Sequence, residues 1–237
     1  ISIVGARPNF VKIAPLVRAM AGHGDAIAHT LVHTGQHYDA QMSKAFFDDL
    51  ALPRPDIDLE VGSGSHAEQT GRVMMAIEPV LAEFKPDIMV VVGDVNSTLA
   101  CALTAKKMAI AVAHVEAGLR SFDMTMPEEI NRICTDAISD MLFTTDRLAD
   151  ANLANEGIAE ERVHFVGNVM IDSLLMHLDK ARGLATARAL GLTAGRYATL
   201  TLHRPSNVDH RGRLEEILAA VMDGVGDVPV IFPVHPR

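Results

Sequence analysis

The sequence predicts an α/β protein built on a doubly wound parallel sheet, on three observations. Short β-branched runs alternate with longer helical patterns along the whole 237 residues. Several of those runs are apolar throughout, as parallel strands covered by helices on both faces must be. Polar and ionisable side chains follow many of the runs directly, at the carboxyl ends where open parallel sheets bind ligands.

In chain order the strand-like runs are Ile1–Val4, Ala28–His33, Ile88–Val92, Ala111–Val115, His164–Val166, Ala198–Leu202 and Val228–Val234. Between them, Pro127 is a good first-turn residue. Ile130, Ile133, Cys134, Ala137, Ile138 and Met141 then recur as the apolar face of a helix. Asn168 to Arg182 reads as another helix. Gly183, Gly191 and Gly195 follow among small residues before a new strand near Tyr197, which marks a domain junction. The expected division is residues 1–182 as one domain with its connecting helix and 183–237 as the beginning of a second. The latter has room for a strand, a helix over Gly212–Gly224 and one further strand.

Composition excludes several function classes. Hydrophobic residues make up 49% and charged residues 22%, which is ordinary globular usage rather than disorder. The net charge of −9, without any Lys- or Arg-dense stretch, argues against a nucleic-acid partner. The apolar stretch around Ile88 to Val92 falls far below the roughly 18 residues of a membrane span. Two cysteines, Cys101 and Cys134, both in helical patterns, make neither a disulfide framework nor a metal spacing, so a reducing cytoplasm is the expected setting. The chain opens on Ile1-Ser2-Ile3-Val4 with no initiator Met or basic-then-apolar leader, which reads as a trimmed start.

The strand ends carry the chemistry. Gly5-Ala6-Arg7-Pro8-Asn9 follows the first run, with Lys12 one turn further on. Thr34-Gly35-Gln36-His37 follows the second, Gly93-Asp94 the third, and Asn96-Ser97-Thr98 offers a helix cap. Next come His114-Val115-Glu116-Ala117-Gly118-Leu119-Arg120, then His203-Arg204 and His235-Pro236-Arg237 in the second segment. Carboxylates Asp94, Glu116 and Glu128 on one wall and His203 on the other suggest an interdomain cleft able to move protons. Arg7, Lys12 and Arg204, with helix N-termini, suit a diphosphate. Each residue also has a purely structural reading. Thr125 and Glu128 have capping-box spacing, Glu129 complements a helix dipole, and Asp94 fits a Gly-Asp turn. His23, His29, His66, His177 and His210 are assigned no role, and the Met74-Met75 pair reads as core filling. A three-glycine dinucleotide fingerprint, a phosphate loop, a nucleophile elbow and a deaminase zinc motif are all absent.

Together these segments resemble the non-hydrolysing UDP-N-acetylglucosamine 2-epimerases. The matching motifs are Gly5-Ala6-Arg7-Pro8 with Lys12 to Leu16, His33-Thr34-Gly35-Gln36-His37-Tyr38-Asp39, Pro86-Asp87 through Gly93-Asp94, His114 to Arg120, Pro127-Glu128-Glu129-x-Asn131-Arg132, Gly167-Asn168, Leu202-His203-Arg204 and Pro233-Val234-His235-Pro236. The specific signal is His-Val-Glu-Ala-Gly-Leu-Arg followed soon by Pro-Glu-Glu-x-Asn-Arg.

The resemblance implies a glycosyltransferase-B type fold with Rossmann-like domains. It implies interconversion of UDP-N-acetylglucosamine and UDP-N-acetylmannosamine by anti elimination of UDP to 2-acetamidoglucal and re-addition. Asp94, Glu116, Glu128 and His203 would be catalytic, one carboxylate having its pKa raised by a neighbouring carboxylate. Arg7, Lys12, Gln36, His37, Arg120, Arg132, Arg204 and His235 would meet substrate. It further implies no metal or organic cofactor, a homodimer, and a place in making cell-surface polysaccharide precursors. The chain departs from the family pattern at Asn9, where many members carry Glu, and at Pro205-Ser206, where many carry Arg-Glu. The family's uridine-diphosphate segment would lie beyond Arg237, so this fragment is expected to be nearly inactive alone. The alternatives are a hydrolysing 2-epimerase or a glycosyltransferase of the same fold, distinguished by their products, and a non-catalytic sugar-nucleotide-binding domain.

Overall fold

A computed structural model describes residues 1–35, 50 and 52–234. Its first compact unit, Ile1–His177, is built on a seven-stranded sheet. The elements run β1 (Ser2–Val4), α1 (Arg7–Ala21), β2 (Leu31–His33), β3 (Ile57–Asp58), α2 (His66–Phe84), β4 (Ile88–Val92), α3 (Asn96–Lys107) and β5 (Ala111–Ala117). They continue with α4 (Pro127–Ile138), β6 (Met141–Thr144), α5 (Arg147–Asn155), β7 (Val163–Phe165) and α6 (Val169–Leu184). The strand order is β3-β2-β1-β4-β5-β6-β7, and every pairing is parallel. The order reverses direction between β1 and β4, the switch point at which such sheets bind ligands.

Strand periodicity divides the core into two layers. Ile3, Met89, Val91 and Val112 pack with Val73, Ile77 and Leu81 of α2 and the small residues Ala100, Cys101 and Ala105 of α3. Val4, Val92 and Val115 face the other way, onto Phe10, Ile13, Ala14 and Val17 of α1 and Val169 of α6. This two-sided burial is why those strands read as unbroken apolar runs. Side chains start two helices: the Ser65 hydroxyl accepts from Glu68 N at α2, and Asp146 accepts from Ala149 N at α5.

The second unit, Leu178–Arg237, begins within α6. It contains α7 (Thr186–Ala189), β8 (Ala198–Thr199), α8 (Pro205–Val208), α9 (Arg211–Val225) and β9 (Val230–Ile231), with β8 and β9 paired in parallel. Among the described residues no helix is long and apolar enough to cross a membrane.

Several expectations need correction. Strands β3 and β6 have no counterpart among the seven runs. Met141, expected on a helix face, begins β6, because α4 stops at Ile138. The buried side of α4 is Glu129, Asn131, Thr135 and Asp136, whereas Ile130 is 43% exposed and Cys134 lies open. Met75 is exposed rather than core filling.

Candidate active site

The site is assembled from strand ends. Gly5 and Ala6 lead from β1 into α1, which begins at Arg7. Asn9 fixes that turn: its Oδ1 accepts from Ala6 N at 3.1 Å, while its Nδ2 donates to Val92 O at 2.6 Å, tying α1 to the end of β4. One turn later the nearly buried Lys12 places Nζ 2.7 Å from Glu116 Oε2. Lys12 reaches across Gly93, where an added Cβ would stand 2.9 Å from Nζ and where φ is +70°. The left-handed backbone there favours glycine, and the missing side chain leaves room for Lys12 Nζ.

Glu116 itself has φ +71° and sits where the β5–β6 register shifts between Val115 and Ala117. A bulge holding a non-glycine residue in left-handed backbone re-aims one side chain at a cost of about 1–3 kcal/mol, and strain of this kind concentrates at functional sites.

Asp94, next along from Gly93, receives Arg132 Nη1 at 2.6 Å, and Asn131 Nδ2 donates to its carbonyl at 2.9 Å. The same guanidinium contacts Glu129 at 2.8 Å. Glu129 is 1% exposed and accepts from the backbone N–H groups of Ser121 and Phe122. Burial alone would raise its pKa. The Ser121, Arg132 and Phe122 donors outweigh burial and bring it down to about 2.

Next to these residues lies a fully buried His114–Asp136 pair. His114 and Asp136 are both 0% exposed, with Nδ1 2.7 Å from Asp136 Oδ1 and Nε2 2.8 Å from Gly93 O. Asp136 Oδ2 accepts from Gly118 N at 3.0 Å and pairs with Arg120 at 2.8 Å. Arg120 also pairs with Glu156 at 2.6 Å. Burial raises the Asp136 pKa, but its bonds and charge contacts with His114 and Arg120 leave it below the ordinary carboxylate range.

A cavity of about 280 Å³ is lined by Asp94, Glu128, Asn131, Asn96, His66, Gln69 and the Ser63-Gly64 backbone, among others. A chain of amides holds its wall. Asn131 Nδ2 donates to Asp94 O and Asn96 Oδ1, Asn96 Nδ2 to Gln69 Oε1, and Gln69 Nε2 to Gly62 O. His66 Nδ1 contacts Asn96. Glu128 begins the helix beside Asp94 with its carboxylate outside any cap. The N-cap is Met126, which makes no side-chain cap, and Thr125 hydrogen-bonds Asp123, so the capping-box reading is overturned. Asn96 makes no cap either, because Val95 holds that position.

Comparison with known proteins decides the family. The family described as UDP-N-acetylglucosamine 2-epimerase matches residues 20–237. The chain is 47% identical over 239 residues to a UDP-N-acetylglucosamine 2-epimerase homolog of Methanococcus maripaludis, covering 100% of this chain and 65% of the relative. It is 44% identical to the UDP-2,3-diacetamido-2,3-dideoxy-D-glucuronate 2-epimerase of Pseudomonas aeruginosa, covering 100% of this chain and 66% of that one. The crystal structure of Methanocaldococcus jannaschii UDP-GlcNAc 2-epimerase in complex with UDP-GlcNAc and UDP superposes with a TM-score of 0.88 at 46% identity, over 100% of this chain and 66% of that one. The chain belongs to the UDP-N-acetylglucosamine 2-epimerase family. It spans 65% of the length of the first of these relatives.

In this member of the 2-epimerase family, the structure brings Asp94 and Glu128 to one cavity and places Lys12 and Glu116 at the neighbouring strand ends. Asp94 and Glu116 each face a cation, Arg132 and Lys12, rather than another carboxylate as expected. Arg132, expected at the substrate, bridges Asp94 and Glu129. Arg120, also expected there, has a side chain only 1% exposed and held by Asp136 and Glu156, so its described contacts are structural. Arg7 stands at the first turn of α1. In the second unit His203 and Arg204 follow β8 and are exposed. Gln36, His37 and His235 lie outside the described residues.

Sequence reasoning missed Glu129, Asp136, Asn96, Asn131, His66 and Gln69 as parts of the site. Pairing the Pro-Glu-Glu-x-Asn-Arg segment with the Gly-Asp corner could have found Glu129, Asn131 and Asn96; Asp136, His66 and Gln69 lie outside both segments. Among the described residues, no group of three or more His, Cys, Asp or Glu could hold a metal ion.

Proposed function

We propose that the protein interconverts UDP-N-acetylglucosamine and UDP-N-acetylmannosamine by inverting C2 of the sugar. The C2 proton is adjacent to no carbonyl and is not acidic, so direct deprotonation is slow. Elimination avoids this: a base removes the C2 proton, the C1–O bond to UDP breaks, and C1=C2 forms as 2-acetamidoglucal. UDP then adds back at C1 while C2 takes a proton on its other face.

The observation that carries the reading is the set of carboxylates near two adjacent strand ends, Asp94 and the helical Glu128 on one cavity and Glu116 on the strained bulge. Each such acid/base group contributes about 10²–10⁴-fold. Lys12 and Arg132 hold Glu116 and Asp94 in place. His203 of the second unit is assigned a catalytic or diphosphate-facing role, and Arg204 is assigned to substrate. Arg7, Gln36, His37 and His235 are assigned to substrate.

The 2,3-diacetamido glucuronate used by the Pseudomonas relative is the second substrate to weigh. Its sugar carboxylate would enter a cavity whose described lining carries two carboxylates and neither Lys nor Arg, which favours the neutral hexosamine. The reading extends to a cytoplasmic homodimer. The outward apolar side of α4 supports the dimer, and sedimentation velocity measures it.

The test is proton NMR of UDP-N-acetylglucosamine in deuterium oxide, with this chain and with a version completed to the length of its relatives. Deuterium entering C2, with the manno epimer accumulating, is the expected result for the completed chain. Binding without C2 exchange sinks the acid/base assignment, free N-acetylmannosamine with UDP means hydrolysis, and a lengthened acceptor means transfer.

A further inference from the structure

We propose that His114 is a positioning residue, held as a buried imidazolium, that locks the strand ends bearing Asp94 and Glu116 in one fixed geometry. The positioning role rests on the functional reading above, whereas the protonation state does not.

The ring lies wholly inside the protein, on β5 opposite Val91 of β4. Both its nitrogens face groups that only accept hydrogen bonds, a carboxylate oxygen of Asp136 at 2.7 Å and the Gly93 carbonyl at 2.8 Å. A neutral imidazole has one N–H and one lone pair, so either tautomer would set a lone pair against an oxygen at contact distance. Protonating Asp136 instead would relieve the clash, but its other oxygen already receives Gly118 N and Arg120. A ring with two N–H groups satisfies every partner. Charges then alternate from buried His114 through Asp136 and Arg120 to the exposed Glu156, two positive and two negative, so the buried charges are each paired.

The bonds go to the backbone that aims the reactive groups. Gly93 immediately precedes Asp94. Its N–H is held by Val115 O at 3.1 Å and its carbonyl by His114. Gly118 follows Glu116 by two residues, and its N–H is held by Asp136. One buried pair thus grips the turn before Asp94 and the turn after Glu116. Nothing in it touches the cavity, so its influence runs through backbone position, where a 1 Å misplacement costs about 10²-fold in rate.

The experiment is ¹⁵N NMR of the histidine-labelled protein from pH 6 to pH 9, assigned with His114→Gln. One histidine of the eleven shows both ring nitrogens protonated at pH 7, and that signal vanishes in the variant. A lone-pair nitrogen on His114 at pH 7 overturns the imidazolium. C2 exchange is then measured with the completed chain. In His114→Gln, kcat falls about 10- to 100-fold while KM stays within about twofold. A lowered melting temperature with unchanged kcat at 25 °C means a purely structural residue and overturns the positioning role. Should the wild-type completed chain exchange no C2 proton, the functional reading and the positioning role fall together, and the nitrogen spectrum still decides the protonation state.

Discussion

Helices α2 and α4 lie on the same parallel sheet and bury opposite kinds of surface. α2 turns Val73, Ile77 and Leu81 inward, as an amphipathic helix should. α4 turns Glu129, Asn131, Thr135 and Asp136 inward and leaves Ile130 and Cys134 outside. The difference is where each helix meets the strands. α2 packs over apolar β-strand side chains. α4 lies against the ends of β4 and β5, where Asp94, His114 and Gly118 need charged partners. The inward face of α4 is therefore organised around polar contacts at the strand ends rather than around an apolar stripe.

The largest effect that could break this comparison is Asp136→Asn, which leaves buried cations uncompensated and should cost about 3–5 kcal/mol in denaturant unfolding. A loss below 1 kcal/mol would mean that the buried face of α4 does not hold the fold. Next is Gly118→Ala. Its Cβ would stand 2.6 Å from Ala149 O at φ +78°, so a loss of at least about 1–3 kcal/mol is expected. Tolerance of alanine would refute the close approach. Ile77→Val on α2 should cost only about 0.5–1.5 kcal/mol. Ile130→Ser on the outward side of α4 should change the stability of the monomer by less than about 0.5 kcal/mol; a larger loss would show that this side is covered in solution.

Glu129 sharpens the same contrast through pH. Its folded pKa, about 2, lies below the ordinary glutamate value, so it stabilises the fold fully above the unfolded pKa of about 4.3. That contribution drains as pH falls from there towards 2. Melting curves of wild type and Glu129→Gln should therefore converge on acidification, and a constant gap would argue against a charged Glu129.

The sequence reveals the doubly wound sheet because Ile88–Val92 and Ala111–Ala117 are covered on both faces and read as unbroken apolar runs. It hides β6 because Met141 continues the helical spacing of Ile138, with no glycine or proline to mark the break at Ser139-Asp140. It misassigns the inward face of α4 because periodicity locates two faces without saying which one meets a polar site. Asp94, Glu116 and Glu128 stand out as candidates, the first two at strand ends and the third in the first turn of a helix, each in a dense polar motif. His66 and Gln69 are not, because their place at the cavity depends on the amide chain through Asn96, a contact between segments distant in sequence.

The two cysteines give the protein an internal counter. Cys134 is exposed on α4, while Cys101 is enclosed in the layer beneath α3, where burial pushes its thiol pKa up. In the monomer a thiol reagent should consume one equivalent at once and a second only when that layer opens. The slow phase of labelling would then measure the free energy of opening the core without any denaturant.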